Sequence, residues 1–362
     1  MKNYASIKSF GCTAVKRRNK AHAEKSFAKA HAAKKRSQTT ARPQNSTISS
    51  VFKGLIAACL VIIAVSLAVK PERYLPVCIE GLKLWAFKVL PALLPFLFVT
   101  LLLTSLCDLS KPAKLLSPVT SFLYGVGGFG ALARIVGLMS GYPAGAKLVS
   151  ALYENNLISK DEATKISVLS STSGPTFVIG TVGAGLFCDK KTGTIIFIAH
   201  ALSAAITAIF FRKYGDNRPI DRLLNNKSGL NLYSTALDAA TSMLAVGTLI
   251  AVFYVIYNVL ADLKIIYPLT CFFNLFIKDF DKTQGLTAGL FECTQGCMYL
   301  SKCSNSAALC CAVISFGGLS VLAQSAAFLQ KANVKMRIFF SGKIIQAVVS
   351  YILCRLLCVV LL

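Results

Sequence analysis

Long apolar segments recur along most of this 362-residue chain, and they restrict its fold more than any other feature. A helix that spans the hydrocarbon core of a bilayer needs about 20 predominantly apolar residues. With 55% hydrophobic and 15% charged residues, and a mean hydropathy of +0.61, the chain is far from the composition of a soluble domain. The sequence therefore predicts an all-α, polytopic membrane protein with about eight hydrophobic helices in the lipid bilayer. The candidate segments are residues 51–69, 92–107, 119–139, 166–187, 193–211, 236–260, 305–330 and 344–362.

Much of the net charge of +24 lies in the N-terminal tail. Residues 1–50 contain twelve Lys or Arg against the single acid Glu24, and few large apolar side chains. This composition predicts a disordered segment, and the positive-inside rule places it in the cytoplasm. We expect the tail to contact anionic lipid headgroups rather than nucleic acid. A transit peptide is the alternative interpretation.

Two basic connectors constrain the topology. Residues 212–227 and 331–343 are rich in Lys and Arg, so both are expected to face the cytoplasm. Five candidate segments lie between the tail and residue 212, and this odd number would place the first connector outside. We therefore predict that one segment between residues 119 and 187 enters and returns as a hairpin. An additional crossing by the less apolar residues 143–156 is the alternative.

The stretch STSGPTFVIG at residues 171–180 places helix breakers at the centre of an apolar segment. Gly frees the backbone and Pro removes an amide donor, so a helix should break there. Irregular backbone inside a membrane is tolerated only where protein or a watery cavity satisfies its polar groups. The stretch is the expected re-entrant element, and it indicates a cavity.

An internal repeat supports that interpretation. GLMSGYPAG (137–145) and then STSGPTFV (171–178) in the first copy correspond to GLFECTQG (289–296) and then SFGGLSVL (315–322) in the second. Paired interrupted segments in two halves are typical of inverted-repeat transporters, whose sites lie near the bilayer midplane. We therefore predict two repeated units with broken or re-entrant helices. Chance similarity among small residues is the alternative.

Glu292 is the strongest candidate for a functional side chain, because acids in apolar membrane segments usually face a cavity and mark an ion, proton or substrate pathway. A solvated acid in an interfacial loop is the alternative. The repeat equates Glu292 with Ser140. The predicted substrate-binding set is Glu292, Thr294, Gln295, Gly296, Ser140, Gly141, Pro143, Gly145, Ser171, Ser173, Gly174, Pro175, Thr176, Ser315, Gly317, Gly318, Ser320 and Gln324.

Five of the thirteen cysteines lie within residues 293–311. Zinc sites pair ligands two to four residues apart with a matching second pair, and no His or second well-spaced pair completes such a set here. We interpret these cysteines as small apolar residues that pack between helices, with a metal or redox site as the alternative. No metal or cofactor is expected.

Enzyme motifs are not supported. The sequence GVGGFG at 125–130 lies in an apolar segment without a strand–helix–strand unit, so helix packing explains it better than dinucleotide binding. His200 lies in an apolar helix, and the chain has neither a GxSxG elbow nor a P-loop. We expect a protein that is not an enzyme.

The motifs of residues 137–187, with GLFECTQG and SFGGLSVLAQ (315–324), resemble the YlbJ-type family of sporulation integral membrane proteins. That family is placed in the nucleoside-recognition or Gate-domain group with the spore maturation proteins, and it is similar to parts of concentrative nucleoside transporters. The resemblance covers roughly residues 51–362. It implies a multi-pass protein of the cell membrane, on the mother-cell side, that is required for spore cortex formation. It implies no known substrate.

These observations divide the chain and leave three functions open. The first is a transporter-like permease for a small polar solute, a cortex precursor or a nucleoside-like ligand, with Glu292 as the proton- or substrate-coupling group. The second is a non-transporting scaffold for other sporulation membrane proteins. The third is a lipid- or nucleic-acid-binding anchor that works through the tail. The predicted regions are the tail (1–50), N-terminal helices (51–120), first repeat (121–211), connector (212–235), second repeat (236–330) and C-terminal helix (331–362).

Overall fold

The computed structural model describes residues 47–106, 110–215 and 232–361, and all regular secondary structure in these ranges is helical. The predicted all-α class is confirmed. The chain separates into two compact units, Met1–Ala64 and Val65–Leu362. The predictions for the tail and for the 212–235 connector fall mostly outside the described residues.

Fifteen α-helices and two π-helical segments make up the described residues. In the first half they are α1 (Thr47–Val69), α2 (Pro71–Leu84), a π-helical segment (Trp85–Val89), α3 (Leu90–Leu106), α4 (Ser110–Tyr124), α5 (Gly128–Ser140), α6 (Ala144–Glu154), α7 (Lys160–Ser170), a second π-helical segment (Thr176–Ala184) and α8 (Lys190–Phe210). In the second half they are α9 (Leu232–Asp262), α10 (Tyr267–Ile277), α11 (Phe280–Phe291), α12 (Cys293–Leu300), α13 (Ala307–Phe316), α14 (Gly318–Leu329) and α15 (Met336–Leu361).

Five helices among the described residues are long and apolar enough to cross a bilayer. They are Pro71–Leu103, Lys190–Phe210, Leu232–Asp262, Ala307–Leu329 and Met336–Leu361. A sixth span results if α4 and α5, which meet at 88°, are counted together. The predicted count of about eight is roughly consistent with this result. Two of the eight predicted segments do not form one of these spans. In 51–69 the apolar helix is shorter and runs over Ile56–Val69, and the segment 166–187 is broken.

The break in the 166–187 segment lies where the Gly-Pro pair predicts it. Helix α7 ends at Ser170, and residues 171–174 are not helical. Gly174 is required there, because a Cβ atom at this position would lie 2.8 Å from the backbone oxygen of Met139. Pro175 follows and has no amide hydrogen to donate to a preceding turn.

Two helical hairpins carry the repeated motifs. Hairpin 1 consists of α5 and α6 with its tip at residues 141–143, and hairpin 2 consists of α11 and α12 with its tip at Glu292. At 1.5 Å per residue these helices are about 12–20 Å long, too short to cross a hydrocarbon core of about 30 Å. The chain therefore turns back at residues 141–143, and the hairpin, not an additional crossing by residues 143–156, is the alternative that the structure favours.

Each hairpin meets a helix break through the same backbone contacts. Hairpin 1 meets the break at residues 171–174, which we call the first break, and hairpin 2 meets the one between α13 and α14 at Gly317 and Gly318, which we call the second break. A Cβ atom on Gly174 would approach Met139 O and Gly141 N, and a Cβ atom on Gly318 would approach Phe291 O and Cys293 N. Each partner in the second set lies 152 residues after its counterpart in the first, which is the offset of the sequence motifs. The element order hairpin, broken segment, long helix thus recurs with its contacts.

The bases of the two hairpins lie at opposite ends of the long helices. The base of hairpin 1 lies beside the α14–α15 connector, since Asn333 Nδ2 donates to Tyr153 OH at 3.1 Å. The base of hairpin 2 lies at the other end, where Cys303 and Asn305 share a cavity of about 200 Å³ with Arg355 near the end of α15. The broken segment from α7 to the second π-helical segment joins these two ends. Residues 171–180 therefore interrupt a segment that runs from one of these ends to the other, whereas hairpin 1 leaves and returns at the same end.

The connector before α15 is shorter than the basic stretch 331–343 suggested. Helix α15 begins at Met336, so only Lys331 and Lys335 of the four basic residues precede it. Lys343 is fully buried inside the helix bundle. Its charge therefore contributes nothing to the surface of this connector.

The clustered cysteines are part of the apolar core. Cys293, Cys297, Cys310 and Cys311 are buried in one cluster with Leu97 and other apolar side chains. Within the ranges described above, no group of three or more His, Cys, Asp or Glu side chains is arranged to hold a metal ion. The packing interpretation accounts for the positions of these four thiols.

Candidate functional site

The two hairpin tips, the first break and helix α14, which follows the second break, surround one cavity, which we call the central cavity. Its volume is about 40 Å³. One wall is apolar and comes from α3, α9 and the neighbouring π-helical segments. The lining residues are Val89, Leu93, Gly141, Tyr142, Ser173, Gly174, Phe177, Val246, Ile250, Glu292, Cys293, Thr294, Val321 and Gln324.

Glu292 lies at the tip of hairpin 2 and faces the central cavity with only 1% of its surface exposed. Its carboxylate accepts a bond from Gln295 N at 2.6 Å and one from Thr294 Oγ1 at 3.2 Å. Glu292 is therefore also the N-cap of α12, where a carboxylate satisfies free amides and interacts favourably with the helix dipole. The interfacial-loop alternative is wrong, because the side chain is buried.

Lys343 has a buried amino group that contacts Tyr142, one of the residues that line the central cavity. Its Nζ donates to Tyr142 OH at 2.5 Å, to Ser171 O at 3.0 Å and to Gln346 Oε1 at 2.8 Å. Tyr142 OH in turn donates to Ser171 O at 3.0 Å. Hairpin 1, the first break and α15 are thus joined through one ammonium group.

His200 of α8 links the two breaks to each other. Its Nε2 accepts from the Ser173 amide at 2.9 Å, and its Nδ1 lies 2.8 Å from Ser315 Oγ. Because an amide can only donate, Nε2 is the unprotonated nitrogen, and Nδ1 carries the proton that is donated to Ser315. The sequence shows no catalytic motif around His200. In the structure this histidine connects the first break, through Ser173, to Ser315 in the last turn before the second break.

Arg134 provides a second cation at the end of α7. Its guanidinium donates to Leu169 O at 3.1 Å and to Ala201 O at 2.6 Å. Leu169 is in the last turn of α7, whose carbonyls have no partner within the helix. Arg134 and Lys343 thus donate to the Leu169 and Ser171 carbonyls at the C-terminal end of this half-helix.

Several buried polar atoms around the breaks have no hydrogen-bond partner among the described residues. Gln324 Nε2 is one of them, and Gln324 also lines the central cavity. The others near the breaks include Ser171 Oγ, Thr172 Oγ1, Ser320 Oγ and Gln295 Oε1. Buried polar groups normally have partners, and of these residues only Gln324 lines the central cavity.

The structure brings six of the predicted site residues to the central cavity: Gly141, Ser173, Gly174, Glu292, Thr294 and Gln324. The others have different surroundings. Gly145 and Gly296 allow close packing within the hairpins, against Gly137 and Gly289, and Gly317 and Gly318 form the second break with positive φ. Ser140 bonds to Thr100, Thr176 bonds to Ala92 O, and Ser315 bonds to His200. Pro143 is the N-cap of α6, Pro175 precedes the second π-helical segment, and Ser171, Ser320 and Gln295 lie buried behind the lining.

Sequence reasoning missed Tyr142, Cys293, His200, Lys343 and Gln346 as parts of this network. Lys343 lies at the edge of an apolar segment, so the sequence pattern places it in the basic connector 331–343. The signal that could have identified it is the pair Lys343 and Gln346, which lie three residues apart on one face of a mostly apolar helix.

Acids at the helix starts away from the cavity behave as ordinary caps. Asp279 caps α11, and the hydrogen bond and ion pair with Lys282, at 3.0 Å, lower the pKa of its carboxyl. Asp189 caps α8, and hydrogen bonds from Thr192 lower the pKa of that carboxyl. Both side chains stabilise helix starts and neither lines the central cavity.

Comparison with known proteins gives one relative that extends over most of the chain. Over 343 residues the chain is 27% identical to the sporulation integral membrane protein YlbJ of Bacillus subtilis (strain 168). The match covers 86% of this chain and 84% of that protein. No protein-family profile matches the chain, and no solved structure matches it significantly.

Proposed function

We propose that this chain, a sporulation integral membrane protein of the YlbJ family, is a transporter-like permease for a small polar solute and acts in spore cortex formation. The observation that carries the proposal is the meeting of two hairpin tips, the first break and helix α14, which follows the second break, around the central cavity. Irregular backbone at membrane depth is tolerated where it lines a cavity, and discontinuous helices form the sites of many secondary transporters.

The arrangement of the hairpins supports an inverted repeat. Hairpin 1 starts from the end where α8 finishes and α15 begins, and hairpin 2 starts from the opposite end. Helices α8 and α15 run in opposite directions, because Tyr214 after α8 lies beside Lys335 before α15. Two units with the same order of elements and opposite directions are what a two-fold axis in the membrane plane produces.

The topology agrees with the distribution of basic residues. The base of hairpin 1, the end of α8 and the start of α15 share one end of the larger unit, where the basic residues Arg212, Lys213, Lys331 and Lys335 also lie. The positive-inside rule makes it the cytoplasmic end. A hairpin that leaves and returns on this side removes the odd crossing and places residue 212 inside.

The volume of the central cavity restricts what it can hold in this conformation. A cavity of about 40 Å³ has room for a few waters at most, and drug-sized ligands occupy pockets of about 300–1,000 Å³. A nucleoside-like or other polar solute would therefore need the hairpin tips to separate from the breaks. We infer that this conformation is the closed one.

One observation favours a non-transporting scaffold instead. Both carboxylate oxygens of Glu292 already accept hydrogen bonds within α12, so the side chain has a structural role without any solute. If this role is the only one, the cavity is a packing defect between the hairpins and the protein acts through its surfaces. The choice between the two functions is experimental.

The test compares two N-cap acids of hairpin 2. Glu292→Gln neutralises the acid at the tip, and Asp279→Asn neutralises the one at the base, which does not line the cavity. Each variant complements a deletion strain, and heat-resistant spores are counted while the membrane level of each protein is checked by blotting. The permease proposal expects spore loss for Glu292→Gln at normal protein level and full complementation by Asp279→Asn. If both variants complement, Glu292 is not a functional group and the scaffold is favoured.

A further inference from the structure

Lys343 is an unusual cation, because it is fully buried and has no carboxylate partner among the described residues. Other cations in those ranges do pair with carboxylates, as Arg73 does with Asp262 and Lys282 with Asp279. Lys343 has no exposed surface and is surrounded by oxygen atoms from three different elements. A buried charge without such ligands would be strongly unfavourable.

The hydrogen-bond donors and acceptors around Lys343 fit an ammonium group. Ser171 O and Gln346 Oε1 can only accept, so each takes one hydrogen from Nζ. The single hydroxyl hydrogen of Tyr142 is used in the bond to Ser171 O, so the contact between Nζ and Tyr142 OH needs a third hydrogen on nitrogen. All four contacts are satisfied together only by the –NH₃⁺ form.

The three oxygens around Lys343 are the kind that bind a monovalent cation. Ser171 is the C-cap of α7, so its carbonyl lies at the negative end of a half-helix dipole. Tyr142 belongs to the tip of hairpin 1, which closes against that end. In secondary transporters, unwound carbonyls and half-helix C-termini near the midplane coordinate the coupling Na⁺ or H⁺.

We propose that the Lys343 ammonium is a covalently attached substitute for an exchangeable cation between hairpin 1 and the first break. The wild-type core then needs no free Na⁺ or K⁺ at this position. Truncating the side chain to Ala leaves Tyr142 OH, Ser171 O and Gln346 Oε1 facing an empty space. That space becomes a site for an alkali or small alkylammonium cation.

This inference rests on the transporter-like core proposed above, but its test measures cation binding and not transport. Full-length wild type, Lys343→Ala and the control Lys331→Ala are purified in detergent. Lys331 is an exposed lysine of the connector before α15, so its variant reports the loss of one surface charge. Thermal unfolding is followed with a thiol-reactive dye that labels the buried cysteines as they become exposed. Each protein is measured in NaCl, KCl, methylammonium chloride and choline chloride at equal ionic strength.

We expect the midpoints of wild type and Lys331→Ala to be the same in all four salts. The midpoint of Lys343→Ala should be several degrees lower in choline, and Na⁺, K⁺ or methylammonium should raise it with saturation. Two results would overturn the proposal: a wild-type midpoint that rises in Na⁺ or K⁺ relative to choline, or a Lys343→Ala midpoint that is equally low in every salt. If Lys343→Ala cannot be purified in any of these salts, the wild-type series decides.

A negative result here leaves the permease proposal intact, because the spore assay on Glu292 does not involve the Lys343 site. Conversely, complementation by Glu292→Gln would remove the permease proposal without affecting the salt dependence of Lys343→Ala. The two experiments therefore fail independently.

Discussion

The contact between hairpin tips and helix breaks can be tested by adding a single methyl group. At Gly318 a Cβ atom would lie 2.8 Å from Gly289 O, 3.0 Å from Cys293 N and 3.2 Å from Phe291 O. All three are backbone atoms of hairpin 2 and cannot rotate out of the way as a flexible side chain can. The backbone φ of Gly318 is also +71°, in the left-handed region.

The expected loss has two parts. A left-handed conformation costs a residue with a Cβ atom about 1–2 kcal/mol, and an added carbon in a tightly packed site costs about 1–3 kcal/mol. Gly318→Ala should therefore lower the free energy of unfolding by about 2–5 kcal/mol, which corresponds to roughly 5–15 °C in the melting midpoint. Gly174→Ala has no left-handed contribution, and its Cβ atom would lie 2.8 Å from Met139 O, so only the packing loss of about 1–3 kcal/mol is expected.

Gly180 is the matched control, because a Cβ atom there would have no atom within 4 Å. We expect Gly180→Ala to leave the midpoint unchanged or raise it slightly, since Ala favours helical backbone by up to about 1 kcal/mol over Gly. The midpoints of the purified variants should therefore follow the order Gly318→Ala, Gly174→Ala, Gly180→Ala from lowest to highest. Equal midpoints for the Gly318 and Gly180 variants would refute the close contact between the second break and hairpin 2.

Three further predictions follow from the described contacts. A double-mutant cycle of His200→Ala and Ser315→Ala in thermal unfolding should give a coupling of about 0.5–3 kcal/mol, because the side chains are hydrogen-bonded at 2.8 Å; additive losses would contradict that bond. The lowered pKa of Asp189 means that its stabilisation is present above about pH 3.9 and lost as pH falls through the lowered pKa. The wild-type midpoint should thus fall more steeply in acid than that of Asp189→Asn, and parallel curves would refute this. In a cysteine-free background, single cysteines at Asn155 and Asn305, at the bases of the two hairpins, should react with an impermeant maleimide from opposite sides of the membrane; labelling from one side would exclude an inverted repeat.

The break positions and the burial of Glu292 follow from local chemistry, and the sequence predicts them. Gly174 with Pro175 and the pair Gly317-Gly318 interrupt apolar runs, and a helix cannot continue through such residues without losing hydrogen bonds. An acid such as Glu292 inside an apolar run has to be buried with partners or exposed in a cavity. These features depend on a few neighbouring residues.

Hairpin 1 is harder to predict, because its first helix, α5, is apolar whereas its second helix, α6, is more polar. Helix α5 is the end of an apolar segment, and α6 is too polar to resemble a span. Hydropathy averaged over a span-sized window joins α5 to α4, although the chain bends by 88° between them. The close contact of Gly137 with Ser170 O, which fixes α5 beside α7, is not visible in any local pattern.

The roles of Lys343 and His200 depend on partners far away in the chain. Lys343 contacts Ser171 and Tyr142, 172 and 201 residues away, and His200 contacts Ser315 at a separation of 115. A single sequence contains no information on which of many serines and carbonyls such a residue will meet. Only the packing of the two repeats brings these groups together.

The charges near the central cavity are balanced by helix ends and not by each other. Arg134 and Lys343 bind carbonyls at the C-terminal end of α7, and Glu292 accepts amide and hydroxyl hydrogens at the N-terminal end of α12. In each case the side-chain charge is opposite to the partial charge at that helix end, which is the favourable arrangement. No ion pair joins Lys343 to Glu292 among the described residues. The buried charges are thus stabilised locally, each by the end of a helix, and neither depends on the other for its charge balance.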